Sequence, residues 1–430
     1  MSVSALFVFG DSTVDPGNNQ FVTRTISKSN FLPYGIDFPE RIPTGRYCNG
    51  RLATDFIASY LGIKEFVPPY LDPSLSLDDL VTGVSFASAG SGYDRRTSSI
   101  TRAAIPVPDQ LQYFSQFKRR LEESIGRERA QEIIEKAVFL VSAGTNDLAF
   151  AFGLPTFRPR TYTVSTYQRR VVYLCKQFIQ GLMEQGARKI AVLNAPPIGC
   201  IPIVITTNSP LISNLRVSER RPCNDTLSSI ARGYNRMLHT EIKALQASFR
   251  MNHTNVAYVD IYNPFESYIK NPHNFGLEVV DRECCGSYLP FEEFLGCNPL
   301  AIVCNDRSNF WFQKKGVEPR FFWVVREGCC GDFLQIATVI FSWFSVEATT
   351  LSSSGFQPFV PVSTAISQRR HSSLSRGHSS SVLAASFVIV LISICKGLGL
   401  FLRTVLVLLL AKVGVERGLV CRIFVLVWVR

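Results

Sequence analysis

The chain has 430 residues, 46% of them apolar, and a formal net charge of +11. That length supplies one large domain or two ordinary ones, with ample material for a core. The charge excludes a nucleic-acid-binding body, because it is confined to one end: residues from Phe310 onward carry 13 Lys and Arg against 5 Asp and Glu, and the first 309 carry 32 against 29. The twelve cysteines form no paired C-x-x-C spacing, which excludes a zinc-knuckle organisation.

In chain order, Ala5-Leu-Phe-Val-Phe9 is an unbroken apolar run, as expected of a strand buried on both faces, and Gly10-Asp-Ser12 makes a sharp turn at its C-terminal end. Thr13 to Asn19 reads as a polar loop in which Asp11 and Asp15 organise turns through Asx-type hydrogen bonds. Pro33 to Asn49 is rich in Pro, Gly, Tyr and Arg without periodicity and reads as a long ordered surface loop of the kind that borders a site. Helical spacing covers Arg51 to Leu61, then a strand runs over Val81 to Ser88 and ends in the small-residue turn Ala89-Gly-Ser-Gly92. No third Gly stands where a phosphate loop needs one, and small residues there let the backbone approach a ligand with its N–H groups free.

Val107 to Lys136 reads as two helices broken near Ile125-Gly126, and Ala137 to Ser142 as a buried strand ending in Ala143-Gly-Thr-Asn-Asp147. A helix over Thr166 to Gln185, with Gly186 as its terminator, leads to a strand over Lys189 to Leu193. A helix over Asp225 to Ala247, a strand over Asn255 to Asp260 and a helix from Asn263 to Lys270 complete the rhythm. Strand, loop, helix, strand is the doubly wound α/β pattern with a mostly parallel sheet. Three strands end in a Gly turn, near Ser12, Gly90 and Asn146. A parallel sheet brings such ends to one edge, where open α/β sheets bind their ligands.

Five ordered blocks carry a resemblance. Phe9-Gly-Asp-Ser-Thr-Val-Asp-Pro-Gly-Asn-Asn19, Gly83-Val-Ser-Phe-Ala-Ser-Ala-Gly-Ser-Gly92, Gly144-Thr-Asn-Asp147, Ala195-Pro-Pro-Ile-Gly-Cys200 and Cys284-Cys-Gly286 together closely resemble the plant GDSL esterase/lipases of the SGNH hydrolase superfamily, over about residues 3 to 309. The resemblance implies a three-layer α/β/α, flavodoxin-like fold and cleavage of lipid or cell-wall carboxylic esters by a serine, with no metal or cofactor. Carried over by position, Ser12 is the nucleophile, and the N–H of Ser12, the N–H of Gly90 and the side-chain amide of Asn146 form the oxyanion hole. These donors suit the task, since a tetrahedral oxyanion needs fixed N–H groups about 3 Å away.

The family closes its catalytic domain with an Asp-x-x-His block that supplies the general base and its orienter. Three residues before His239, His253, His273, His371 and His378 stand Arg236, Arg250, Lys270, Gln368 and Ser375, so that block is absent. A serine hydroxyl is a weak nucleophile without an adjacent base. The expectation is therefore an ester hydrolase impaired in this form, with His273 the least implausible substitute base. The alternatives are a non-catalytic ester- or lipid-binding protein and a tail-anchored membrane protein.

Nine cysteines precede residue 330, and Cys284, Cys285, Cys297 and Cys304 read as disulfide partners in a Gly/Asn/Pro-rich loop. With the sequons Asn224-Asp-Thr226 and Asn252-His-Thr254 they fit an exported glycoprotein, although Met1 to Ser4 leaves no room for a signal peptide before the first strand. Family pattern stops at Phe310. Residues 310–381 read as irregular, with a Ser/Arg/His-rich linker over Thr364 to Ser381, and 382–430 as a hydrophobic basic tail. The tail reads as sequence foreign to the domain, of the kind a retained intron or shifted frame encodes. The alternative is membrane contact through 382–411, with one tilted helix from Val382 to Leu402.

Overall fold

Four five-residue runs form a parallel sheet in the computed structural model: β1 (Leu6–Gly10), β2 (Val138–Ser142), β3 (Lys189–Leu193) and β4 (Asn255–Val259), in spatial order β1-β2-β3-β4. The structure describes residues 3–102, 104–154, 162–208, 221–249, 254–275, 277–283, 285, 297, 299, 303, 310–312, 386–392, 404–414 and 419–429. The register is unshifted across the sheet, so Gly10, Ser142, Leu193 and Val259 lie in one row at its C-terminal edge.

Ten helices accompany these strands among the described residues. Before β2 come α1 (Ala53–Tyr60), α2 (Leu77–Thr82), α3 (Arg95–Ile100), α4 (Val107–Ile125) and α5 (Arg127–Lys136). After it come the single turn α6 (Thr145–Leu148), then α7 (Val164–Glu184), α8 (Pro202–Asn208), α9 (Asp225–Phe249) and α10 (Tyr262–Lys270). Gly126, at φ +84, separates α4 from α5, and Gly186, at φ +110, lies just past the end of α7.

Alternate residues of β1 face opposite layers, as the pleat requires. Phe7 and Phe9 join Phe114 and Phe117 of α4, Phe178 of α7 and Tyr234 of α9 in the main core. Leu6 and Val8 instead pack with Ile57 and Ala58 of α1, Val14 and Val67. Burial on both faces is the reason the β1 sequence is continuously apolar rather than alternating. The Phe7 and Phe117 rings meet edge to face at 5.1 Å, and Phe9 stacks on Phe86 at 5.0 Å, contacts worth about 0.5–1.5 kcal/mol each beyond their burial. A helix layer on each face of a parallel sheet makes this the three-layer α/β/α arrangement.

One expected strand is corrected. Leu77–Thr82 is helical, held by a reciprocal cap in which Ser76 Oγ accepts from Asp79 N–H (3.1 Å) and Asp79 Oδ2 from Ser76 N–H (3.0 Å). Beyond α2 the chain is extended, with isolated bridges at Ser85. It still tracks β1: Val8 N–H bonds Val84 O, Phe86 N–H bonds Val8 O and Ser88 N–H bonds Gly10 O. The turn at Gly90 is thereby set beside the end of β1.

The chain divides into two units, Met1–Thr349 and Thr350–Arg430. The first also holds β5 (Val279–Glu283) and β6 (Phe310–Phe312), paired in parallel. Cys200–Cys223 and Cys285–Cys297 are disulfides, while Cys284 and Cys304 lie outside the described residues. The second unit holds an antiparallel sheet of β7 (Ser386–Ile392), β8 (Thr404–Gly414) and β9 (Leu419–Val429). Within the stretch Val382 to Leu402, expected as one tilted helix, Ser386–Ile392 is strand, and the other residues lie outside the described ones. No helix of the described residues is long and apolar enough to cross a membrane. The expected linker over 364–381 lies outside the described residues.

Candidate active site

The turn after β1 is fixed by close backbone approach. A Cβ on Gly10 would lie 1.9 Å from Ser142 O, and the residue sits at φ +142, so only glycine lets β1 reach β2 at this point. Asp11 N–H then bonds Ser142 O at 3.1 Å, and the Asp11 carboxylate takes the Thr13 N–H (3.0 Å) and hydroxyl (2.7 Å). Thr13 Oγ1 lies 2.8 Å from Ser142 Oγ, tying the turn to β2. Ser12 is left half-buried at the edge, and among the described residues neither its hydroxyl nor its backbone N–H has a hydrogen-bond partner.

Gly90 arrives from the segment beside β1. It adopts φ +82, and a Cβ there would come within 2.6 Å of the Thr101 side chain. Thr101 Oγ1 donates to its carbonyl at 3.3 Å. Its N–H, like that of Ser12, is without a partner among the described residues.

Asn146 arrives from the other side of β1, in α6 after β2. Gly144 at φ +102 makes the turn. The Asn146 amide donates one N–H to Ser91 O at 2.9 Å, which leaves its second N–H to point elsewhere. Ser12, Gly90 and Asn146 therefore come from three neighbouring extended segments to one edge, as the strand-end argument expects.

Buried carboxylates hold these turns together. Asp147 accepts from Tyr93 N–H (2.9 Å), Asp94 N–H (3.0 Å) and Thr97 Oγ1 (2.6 Å), locking the turn of Asn146 to the residues after Gly90. Asp15 accepts from Gly17 N–H (2.8 Å), Asn18 N–H (2.7 Å) and Ala89 N–H (2.9 Å), locking the loop after Ser12 to the residue before Gly90. Burial pushes Asp15 up to about 7 and Asp11 and Asp147 up to about 6, against the opposing pull of those hydrogen bonds.

The polar loop after Ser12 is buried from Val14 to Asn19. Asn18 Nδ2 donates to Ser85 O and Ala87 O, both at 2.8 Å, and Asn19 Nδ2 donates to Ala89 O at 3.0 Å. These side chains replace sheet hydrogen bonds that a full strand at 84–88 would have made. The aperiodic 33–49 stretch is pinned at Arg46, whose guanidinium meets the buried Asp55 carboxylate at 2.9 and 3.0 Å.

No imidazole among the described residues hydrogen-bonds Ser12. His239 is exposed on α9 with its ring 4.6 Å from that of Tyr258 on β4, a strand three places from β1, or roughly 14 Å at the usual interstrand spacing. His273 is exposed in the 3-10 turn Pro272–Phe275. His253, His371 and His378 lie outside the described residues. Among the described residues no group of three or more His, Cys, Asp and Glu is placed to hold a metal ion.

Comparison with known proteins agrees with this architecture. The family described as GDSL-like Lipase/Acylhydrolase matches residues 6–309. The chain is 50% identical over 311 residues to GDSL esterase/lipase At5g45960 of Arabidopsis thaliana, covering 72% of this chain and 81% of that protein. It is 41% identical over 309 residues to GDSL esterase/lipase At1g20120 of the same plant (72% and 74% covered) and 42% identical over 312 residues to GDSL esterase/lipase At2g40250 (72% and 84% covered). The chain belongs to the GDSL-like lipase/acylhydrolase family of carboxylic ester hydrolases.

Proposed function

We propose that the chain cleaves carboxylic esters through Ser12, with an oxyanion hole formed by the N–H of Ser12, the N–H of Gly90 and the free amide N–H of Asn146. Ser12 Oγ attacks the ester carbonyl carbon, and the carbonyl π pair moves to oxygen, where the three donors receive it. Collapse breaks the ester C–O bond, the alcohol leaves with a proton, and water later releases the acid from Ser12. The observation that carries the reading is the pairing, among the described residues, of a half-buried, unbonded hydroxyl with two unpartnered backbone N–H groups and a half-used amide at one sheet edge. Losing one such donor typically costs about 2.7–4 kcal/mol of barrier.

The proton of Ser12 has no described acceptor, so this 430-residue form is proposed to react slowly, with hydroxide in the place of an imidazole. Substrates are esters of lipid or cell-wall type. The absence of a base for Ser12 among the described residues also favours a second reading, an ester-binding protein that does not turn its ligand over. Hydrolysis of a short-chain chromogenic ester by the full chain and by Ser12→Ala separates the two: turnover lost in the variant supports the enzyme, and saturable binding unchanged by the substitution supports the binder. Two disulfides and the sequon at Asn224 support export. Asn224 Oδ1 accepts from Leu227 N–H at 3.1 Å at the start of α9, leaving Nδ2 for a glycan.

A further inference from the structure

We propose that Ser91 is the positioning residue that holds the three oxyanion donors in register, a proposal that rests on the oxyanion-hole reading above. Ser91 is fully buried and touches each arm of the site by a different group. Its hydroxyl donates to Gly10 O at 2.7 Å, two residues before Ser12. Its carbonyl accepts the Asn146 amide at 2.9 Å. Its backbone continues directly from Gly90, and its own N–H returns to Ser88 O at 3.1 Å. A displacement of Ser91 therefore moves the Gly90 N–H, the Asn146 amide and the Ser12 turn relative to one another. Ser91 acts through those groups and does not itself face the reacting carbonyl.

The hydroxyl is removable without orphaning its acceptor. Gly10 O also receives Gln110 Nε2 at 2.8 Å and Ser88 N–H at 3.0 Å, so Ser91→Ala leaves that carbonyl satisfied. Positioning and folding are thereby separable. A nearby control exists in Ser98, whose Oγ accepts from Gly92 N–H at 3.3 Å and, among the described residues, makes no hydrogen bond to any of the three donors.

The test is phosphonylation of Ser12 in the full chain by a fluorophosphonate at alkaline pH, with intact mass as the readout. In that step Ser12 Oγ bonds to phosphorus, fluoride leaves, and the hydroxyl proton passes to solvent hydroxide. Because misplacement by about 1 Å costs on the order of a hundredfold, Ser91→Ala is expected to lower the maximal labelling rate by about ten- to a hundredfold. The half-saturating concentration and the thermal midpoint should stay near those of the parent, and Ser98→Ala should label like the parent. If Ser91→Ala lost its fold, Ser91→Cys, which keeps the volume and weakens the donor, decides on the same scale. Labelling of the folded variant at the parental rate, or an equal loss in Ser98→Ala, overturns the proposal. Parental labelling no faster than that of Ser12→Ala overturns the oxyanion-hole reading, and the role of Ser91 with it.

Discussion

Gln110 meets both hydrogen-bonding groups of Gly10: its Oε1 accepts the Gly10 N–H at 2.9 Å and its Nε2 donates to the Gly10 carbonyl at 2.8 Å. The side chain is fully buried near the start of α4, one hundred residues from its partner in sequence. It supplies what a regular neighbouring strand would have supplied at the end of β1. Gln110→Met keeps the bulk and removes both bonds. An orphaned buried N–H costs about 1–3 kcal/mol. The urea midpoint should fall accordingly with an unchanged slope, and reactivity at Ser12 should fall as the turn loosens.

Gly10 and Gly126 both have positive φ, yet substitution should separate them sharply. A Cβ on Gly10 would overlap Ser142 O, a backbone atom of the paired strand, and Gly10→Ala should not yield a folded domain. A Cβ on Gly126 would meet nothing within 4 Å. Gly126→Ala should cost only the backbone strain, about 1–3 kcal/mol, and fold. Circular dichroism melts of the two variants check the contrast.

Stability should fall as pH rises from about 4 towards 7. Asp11 and Asp147 are raised from 3.8 to about 6, and Asp15 to about 7, by burial. An acid raised in the folded chain keeps protons that the unfolded chain has released, so these groups' contribution is full below about pH 4 and is lost as pH rises through the folded values. Thermal midpoints should decline between about pH 4 and pH 7 on this account. Asp15→Asn should start lower and decline less steeply, and a slope unchanged in that variant would count against the assignment.

Neither described histidine should matter to the chemistry. His239→Ala and His273→Ala are expected to label at Ser12 with a fluorophosphonate at the parental rate. A loss on the order of a hundredfold in either, the lower range for a general base, would place an imidazole at Ser12 after all.

The sheet was legible in the sequence because β1 to β4 are short apolar runs that end in glycine or polar turns, and both-face burial leaves that local signature. The edge that carries Ser12, Gly90 and Asn146 was readable from parallel topology alone. The 81–88 segment misled because its Val and Phe suit a strand, while the Ser76/Asp79 cap, a readable Ser-x-x-Asp signal, starts a helix just before it. The supports of the site left no local pattern at all. Gln110, Ser91, Asp147, Asn18 and Asn19 act across 50 to 100 residues through hydrogen bonds to distant backbone and hydroxyl groups, and periodicity does not encode such partners.

The most direct test of the proposed oxyanion hole, with no base for Ser12 among the described residues, is the pH profile of chromogenic ester hydrolysis by the full chain beside Ser12→Ala. The account predicts slow turnover, abolished in the variant, whose logarithm rises with unit slope in pH because hydroxide takes the Ser12 proton. Rapid turnover that levels off above an apparent pKa of about 6.5, the ordinary histidine value, would contradict it by revealing a working imidazole.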